Sequence, residues 1–147
     1  MSKPSALETL LELAQTRTDD AAKRLGTLHT QGVHMEAKLQ LLLQYRDDYC
    51  ARFQILMRQG LTASGWRNYQ EFLDKLDAAI VQQRGLLAAA RQRVDDGRLD
   101  WQSARRTLKS YHTLAQRHIR TELLHLTRRE QKETDEYVVN AAARPKE

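Results

Sequence analysis

The chain has 147 residues, 6% aromatic and 29% charged, with a formal net charge of +5 and a pI near 9.6. Two Phe and an apolar set made mostly of Leu and Ala are poor stock for a packed globule and suit long amphipathic or coiled-coil helices. The basic balance points to an anionic partner (nucleic acid, a membrane surface or an acidic protein face), and no apolar run approaches the roughly 20 residues of a membrane span.

One cysteine, Cys50, cannot form an internal disulfide. With no signal-peptide pattern, a reduced cytoplasmic protein is expected. Both prolines, Pro4 and Pro145, stand at the ends, so nothing between them forbids continuous helix.

The first helix is predicted from about residue 5, where Ser5-Ala6-Leu7-Glu8 has the spacing of a capping box. From there Leu7, Ala14, Ala21, Leu28, Met35, Leu42, Tyr49 and Leu56 recur at strict seven-residue spacing. A companion phase reads Leu11, Thr18, Leu25, Gly32, Leu39, Arg46 and Phe53. The steps alternate four and three, which makes the first phase d and the second a of a left-handed supercoil.

The repeat breaks at Gln59-Gly60-Leu61-Thr62-Ala63-Ser64-Gly65, which is expected to be the tip of a hairpin. Gly60 suits the left-handed residue that ends a helix, and Thr62 or Ser64 suits the N-cap of the next. The pattern then resumes with Trp66, Leu73, Ile80, Leu87, Val94, Trp101, Leu108 and Ala115 in one phase. Tyr69, Leu76, Gln83, Ala90, Gly97, Ala104 and Tyr111 form the other.

Folding the chain about residue 61 brings a and d positions together whenever their numbers sum to 122. Phe53 then faces Tyr69, Leu42 faces Ile80, Leu25 faces Gly97 and Ala21 faces Trp101, so several layers pair large with small. Gly32 against Ala90 is expected to make a narrow waist, with Arg46 and Gln83 as polar intrusions that set register. The expectation is therefore one all-α domain over 1–147, an antiparallel two-helix coiled-coil hairpin. Helix 1 covers about 5–58, the tip 59–65 and helix 2 about 66–140. Past Ala115 helix 2 has no partner residues left and overhangs by roughly 30 Å at 1.5 Å per residue, still carrying Ile119, Leu123, Leu126 and Val138.

No phosphate-cradling glycine loop, GxSxG or HExxH is present, so no enzyme and no cofactor is indicated. His118, Glu122 and His125 share a helix face but lack a fourth ligand, which does not make a metal site. Two surfaces remain. Between Arg84 and Arg129 stand eleven Arg and Lys against four Asp and Glu, an anion-facing stretch that includes Arg105, Arg106, Arg117, Arg120, Arg128 and Arg129. Nearer the tip, Tyr45 beside Leu42 and Tyr49, and Phe72 and Ala79 beside Leu76, widen the apolar stripe beyond what two helices can bury.

The tip, Gly60-Leu61-Thr62 followed by Trp66-Arg67-Asn68-Tyr69-Gln70-Glu71-Phe72, resembles that of the FliJ family, coiled-coil components of the bacterial flagellar type III export apparatus. The opening Leu7…Ala14…Asp20-Ala21-Ala22…Leu25-Gly26 is similar too, and the likeness runs through the whole chain. The resemblance implies a stalk-like hairpin in the centre of the export ATPase hexamer, promoting its assembly. It further implies contacts with the cytoplasmic domain of the export gate and with export chaperones, peripheral at the cytoplasmic face of the inner membrane. The gate-binding surface that it implies is Lys38, Leu42, Tyr45, Tyr49, Phe72, Leu76, Ala79 and Gln83, where Lys38 and Gln83 depart from the family's pattern. The arginines named above are the candidate contacts with the ATPase ring. The alternative from another class is a basic helical hairpin that binds nucleic acid; against it, the aromatic and basic residues are segregated rather than interleaved.

Overall fold

A computed structural model describes residues 5–144, so Pro4 and Pro145 lie outside the described residues. The fold is all-α: α1 spans Ala6–Gln59 and α2 spans Ala63–Ala143, the two long helices pack against each other, and no strand occurs among the described residues. The chain divides into two units, Asp19–Ser103 and Met1–Thr18 with Ala104–Glu147.

The start of α1 is capped reciprocally. Glu8 N–H donates to Ser5 Oγ at 3.2 Å and Ser5 N–H donates to Glu8 Oε2 at 3.2 Å, which satisfies two of the donors a helix start leaves open. Its end is set by Gly60, whose φ of +93° is strained for any residue with a Cβ. The connection is shorter than the 59–65 expected from the broken heptad. Thr62, not Ser64, is the N-cap: its Oγ1 accepts the Gly65 N–H at 3.1 Å and its carbonyl accepts the Trp66 N–H at 2.9 Å. With the cap that early, Ala63, Ser64 and Gly65 are already helical, and only residues 60–62 connect the helices.

In the Asp19–Ser103 unit the heptad seam is the core. Leu39, Leu76, Ile80 and Leu87 form its buried cluster, with Met35, Leu42 and Leu43 packed on it. Burying one such side chain stabilises by about 1.5–3 kcal/mol. No large side chain is wholly enclosed among the described residues, since each seam residue has a partner helix on one side only. Every seam position of the unit is buried or half-buried except Trp66, which stays 47% exposed beside the connection, where no further layer covers it.

The register agrees with a sum of 122. The Phe53 and Tyr69 rings lie 5.2 Å apart, and a Cβ at Gly97 would stand 3.5 Å from Leu25 Cδ1 and 2.9 Å from Leu28 Cδ1. Gly97 is thus where the helices approach most closely on a glycine. The narrow waist expected at Gly32 is absent. A Cβ there would meet nothing within 4 Å, because Gly32 opens on a groove of about 460 Å³ lined by His29, Val33, Glu36, Arg91 and Val94.

The polar seam residues are satisfied. Gln83 is 7% exposed and its Nε2 donates to the Met35 carbonyl at 3.1 Å. Arg46 swings from the seam to Asp77, its Nε 2.6 Å from Oδ1. That hydrogen bond, more than the charge of Asp77, raises the guanidinium pKa further. Both partners are partly solvated, so the pair adds little to stability. Arg91 and Glu36 pair across the helices at 2.6 Å, with Arg91 more exposed still.

In the other unit, Leu7, Leu11, Ala14 and Thr18 of α1 and Ala104, Leu108, Tyr111 and Ala115 of α2 are the seam residues withdrawn from solvent. The Thr18 hydroxyl, in a buried position, is satisfied by the Ala14 carbonyl at 2.8 Å. From 116 to 143 every residue of α2 is exposed.

Candidate protein-interaction surfaces

The eight residues of the tip-side patch divide between core and surface. Leu76 and Gln83 are buried, and Leu42 packs on the buried cluster. Gln83 donates its Nε2–H to the Met35 carbonyl and so packs into the seam. Tyr49 is half-buried under a small aromatic stack, its ring 4.5 Å from that of Phe72 and 4.7 Å from that of Tyr69. Burial there, with a smaller effect of Tyr69, raises the Tyr49 phenol above its usual pKa.

What faces solvent is Lys38 and Tyr45 on α1 and Phe72 on α2, with Ala79 half-buried. Tyr45 is 54% exposed and Phe72 49%. Lys38 and Tyr45 each immediately precede an a residue of α1, and Phe72 and Ala79 each immediately precede an a residue of α2. In an antiparallel pair these flanking positions fall on the same side of the seam. Leu86, 45% exposed, continues the series seven residues beyond Ala79 and belongs to this face. It escapes the reading from sequence, which stops at Ala79, although extending the same heptad finds it.

The second candidate lies on the C-terminal part of α2, with Arg117, Arg120, Arg128 and Arg129 on its unpartnered length and Arg105 and Arg106 beside the last seam residues. All six of its arginines are exposed, but they do not share one face. Arg106, Arg117 and Arg128 are spaced by eleven residues, which at 3.6 residues per turn drifts only about 20° per step. Arg120 and Lys109 flank them. Arg105 and Arg129 point elsewhere around the helix. Between residues 101 and 131 the only acidic residues are Glu122 and Glu130, and both lie toward the apolar stripe of Ile119, Leu123 and Leu126 rather than among the arginines. That stripe is more than half exposed along its length. Basic and apolar faces on one helix suit an acidic partner that also offers apolar contact.

The described residues show no arrangement of three or more His, Cys, Asp or Glu side chains that could hold a metal, and His118 Nε2 is instead 3.1 Å from Glu122 Oε1. Cys50 is a half-buried free thiol. No described helix is long and apolar enough to cross a membrane.

Residues 2–147 match the family model of the flagellar FliJ protein. Two curated relatives, each named Flagellar FliJ protein, are similar over their whole length and the whole of this chain. The one from Salmonella typhi is 35% identical over 147 residues and the one from Escherichia coli (strain K12) 34% over 147. The match covers the hairpin connection as well as the heptads. The chain belongs to the flagellar FliJ family.

Proposed function

We propose that the chain is a non-enzymatic component of the flagellar type III protein export apparatus, a helical hairpin that binds two partners through different surfaces. The basic length of α2 enters the export ATPase hexamer and promotes its assembly and activity. The face of Lys38, Tyr45, Phe72, Ala79 and Leu86 contacts the cytoplasmic domain of the export gate. Export chaperones also bind, and the protein is held at the inner face of the membrane through these partners. The observation that carries the reading is the length of α2 from 116 to 143 left wholly exposed in a member of this family. A helix without tertiary packing is marginal alone, so an exposed apolar stripe beside an acid-free row of arginines favours a bound state.

The test is deletion of residues 119–147. Stimulation of the export ATPase should be lost while capture of the gate's cytoplasmic domain persists, because the tip-side face is untouched. Stimulation by the intact chain should weaken as salt is raised, since exposed charges are screened beyond roughly 8–10 Å at physiological ionic strength. Full stimulation by the truncated chain would place the ring contact elsewhere. Tight binding of duplex or single-stranded nucleic acid at physiological salt would replace this reading with the nucleic-acid one.

A further inference from the structure

The seam's one solvent-exposed residue in the Asp19–Ser103 unit, Trp66, sits in an unusual neighbourhood. Between Ala51 and Gln70 there is no acidic residue, while Arg52, Arg58 and Arg67 supply three positive charges. None of the three is in an ion pair in the structure. The nearest carboxylates along the chain, Asp48 and Glu71, lie about a turn farther from the connection on each helix. Interleaved with the arginines are large apolar side chains turned to water: Ile55 at 55% exposure, Met57 at 54% and Trp66 at 47%. Leu61 in the connection is half-covered, folded toward Gly65 and Thr62.

The hairpin's own packing explains none of this. The last complete layer of the seam is behind these residues, so no further layer of the hairpin covers them. The tip is also convex. A small cavity near it, between Tyr49, Phe53, Tyr69 and Leu73, holds only about 20 Å³ and lies on the shaft. A folded protein partner would have to supply an acidic, apolar socket shaped to this end. A lipid interface supplies anionic phosphates and apolar depth to any convex protrusion, and Trp is the side chain that settles at the boundary between them.

We propose that the hairpin tip is a docking point for an anionic phospholipid surface, with Trp66, Met57 and Ile55 entering the headgroup–acyl boundary and Arg52, Arg58 and Arg67 binding the phosphates. The attachment is peripheral, since no described helix can span a bilayer. It is direct, and so distinct from association through partners, and it uses neither Tyr45 nor Phe72 nor the basic length of α2.

Sedimentation of the full-length chain with vesicles of phosphatidylcholine, with and without phosphatidylglycerol, tests this. Binding is expected only when the anionic lipid is present, and should fall as salt is raised. Each arginine near an anionic surface contributes about a five-fold change in affinity, so R52Q/R58Q/R67Q together should weaken binding by about a hundred-fold. In a Trp101→Phe variant the emission of Trp66 should shift to the blue on binding and be quenched by brominated lipid. In a Trp66→Phe variant the emission of Trp101 should not move.

Equal binding to pure phosphatidylcholine, no binding to either vesicle, or an unmoved Trp66 emission would each overturn the proposal. Full binding by the triple variant would assign the lipid contact to the basic stretch of α2 and overturn it equally. If the tip variants bind vesicles as the parent does but lose the gate's cytoplasmic domain, the tip is a protein surface and the lipid assignment is wrong.

Discussion

Gly32 and Gly97 are the seam glycines of the two helices, an a position on α1 and a d position on α2, and the same substitution at each should give different results. In a helix interior, replacing Gly by Ala gains about 0.5–1 kcal/mol through reduced backbone entropy in the unfolded chain. At Gly32 nothing offsets that gain, because the added Cβ meets nothing within 4 Å. Gly32→Ala should therefore stabilise the Asp19–Ser103 unit by about 0.5–1 kcal/mol. At Gly97 the new methyl would stand 2.9 Å from Leu28 Cδ1. Leu28 must rotate away or the helices must part. Because the clashing atom is the end of a flexible side chain, the cost is at the low end of the ~1–3 kcal/mol typical of overpacking. Gly97→Ala should be neutral to destabilising by about 1 kcal/mol, leaving it at least about 1 kcal/mol less stable than Gly32→Ala. Urea unfolding followed by far-UV circular dichroism measures both, and both glycines lie in the same unit, so cooperativity between units does not confuse the comparison. Equal midpoints, or a Gly32→Ala variant less stable than the parent, would refute the assignment of the close approach to Gly97.

Cysteines at Leu25 and Gly97 in a Cys50→Ser background should crosslink within one chain, since a Cβ at Gly97 lies 3.9 Å from Leu25 Cα; crosslinks only between chains on a denaturing gel would contradict the antiparallel register. Phe72→Ala and Tyr45→Ala should each weaken capture of the gate's cytoplasmic domain by about 1–3 kcal/mol while helix content holds, and joint loss of folding and binding would show that they are core. At the connection, Thr62→Ala should cost about 1 kcal/mol and Gly60→Ala about 1–2 kcal/mol on unfolding, whereas Ser64→Ala should change little. The Tyr49 phenol is raised in the folded state, so its contribution is present below the unfolded pKa and is lost as pH rises through the folded one. Stability should thus fall more gently above about pH 10 in Tyr49→Phe than in the parent, as read by alkaline unfolding curves.

The seam is legible in the sequence because its period is geometric: a 3.5-residue repeat leaves little choice about which side chains face the other helix. Register is legible for a related reason, since sliding the two lists of seam residues past each other leaves few alignments that keep the layers even. What is not legible depends on side-chain direction. Thr62 and Ser64 carry the same capping chemistry, and only the tight reversal at Gly60 selects Thr62. Gln83 reads as a polar intrusion in the seam, but the Met35 carbonyl that takes its amide N–H cannot be read from the heptad. Gly32 and Gly97 both read as small residues of the seam, yet one opens on a groove and the other meets two leucines. Of the tip-side patch, the exposed Tyr45 and Phe72 follow from a stripe too wide for two helices. The division of the other members between core and surface does not, because seam and flank differ there by a single position in the heptad.

The uneven layers of the Asp19–Ser103 unit have a mechanical consequence. A shift of one helix by seven residues along the other restores the heptad but not the fit. In one direction Gly97 comes opposite Gly32, leaving a void, while Trp101 is driven against Leu28, and Arg46 exchanges Asp77 for Arg84. In the other direction Gln83 leaves Met35 and stands against Gly32, and Arg46 exchanges Asp77 for Gln70. Neither alternative is a second resting state. The two helices are keyed like a splined shaft, and a push or twist applied to one is delivered to the other without creep.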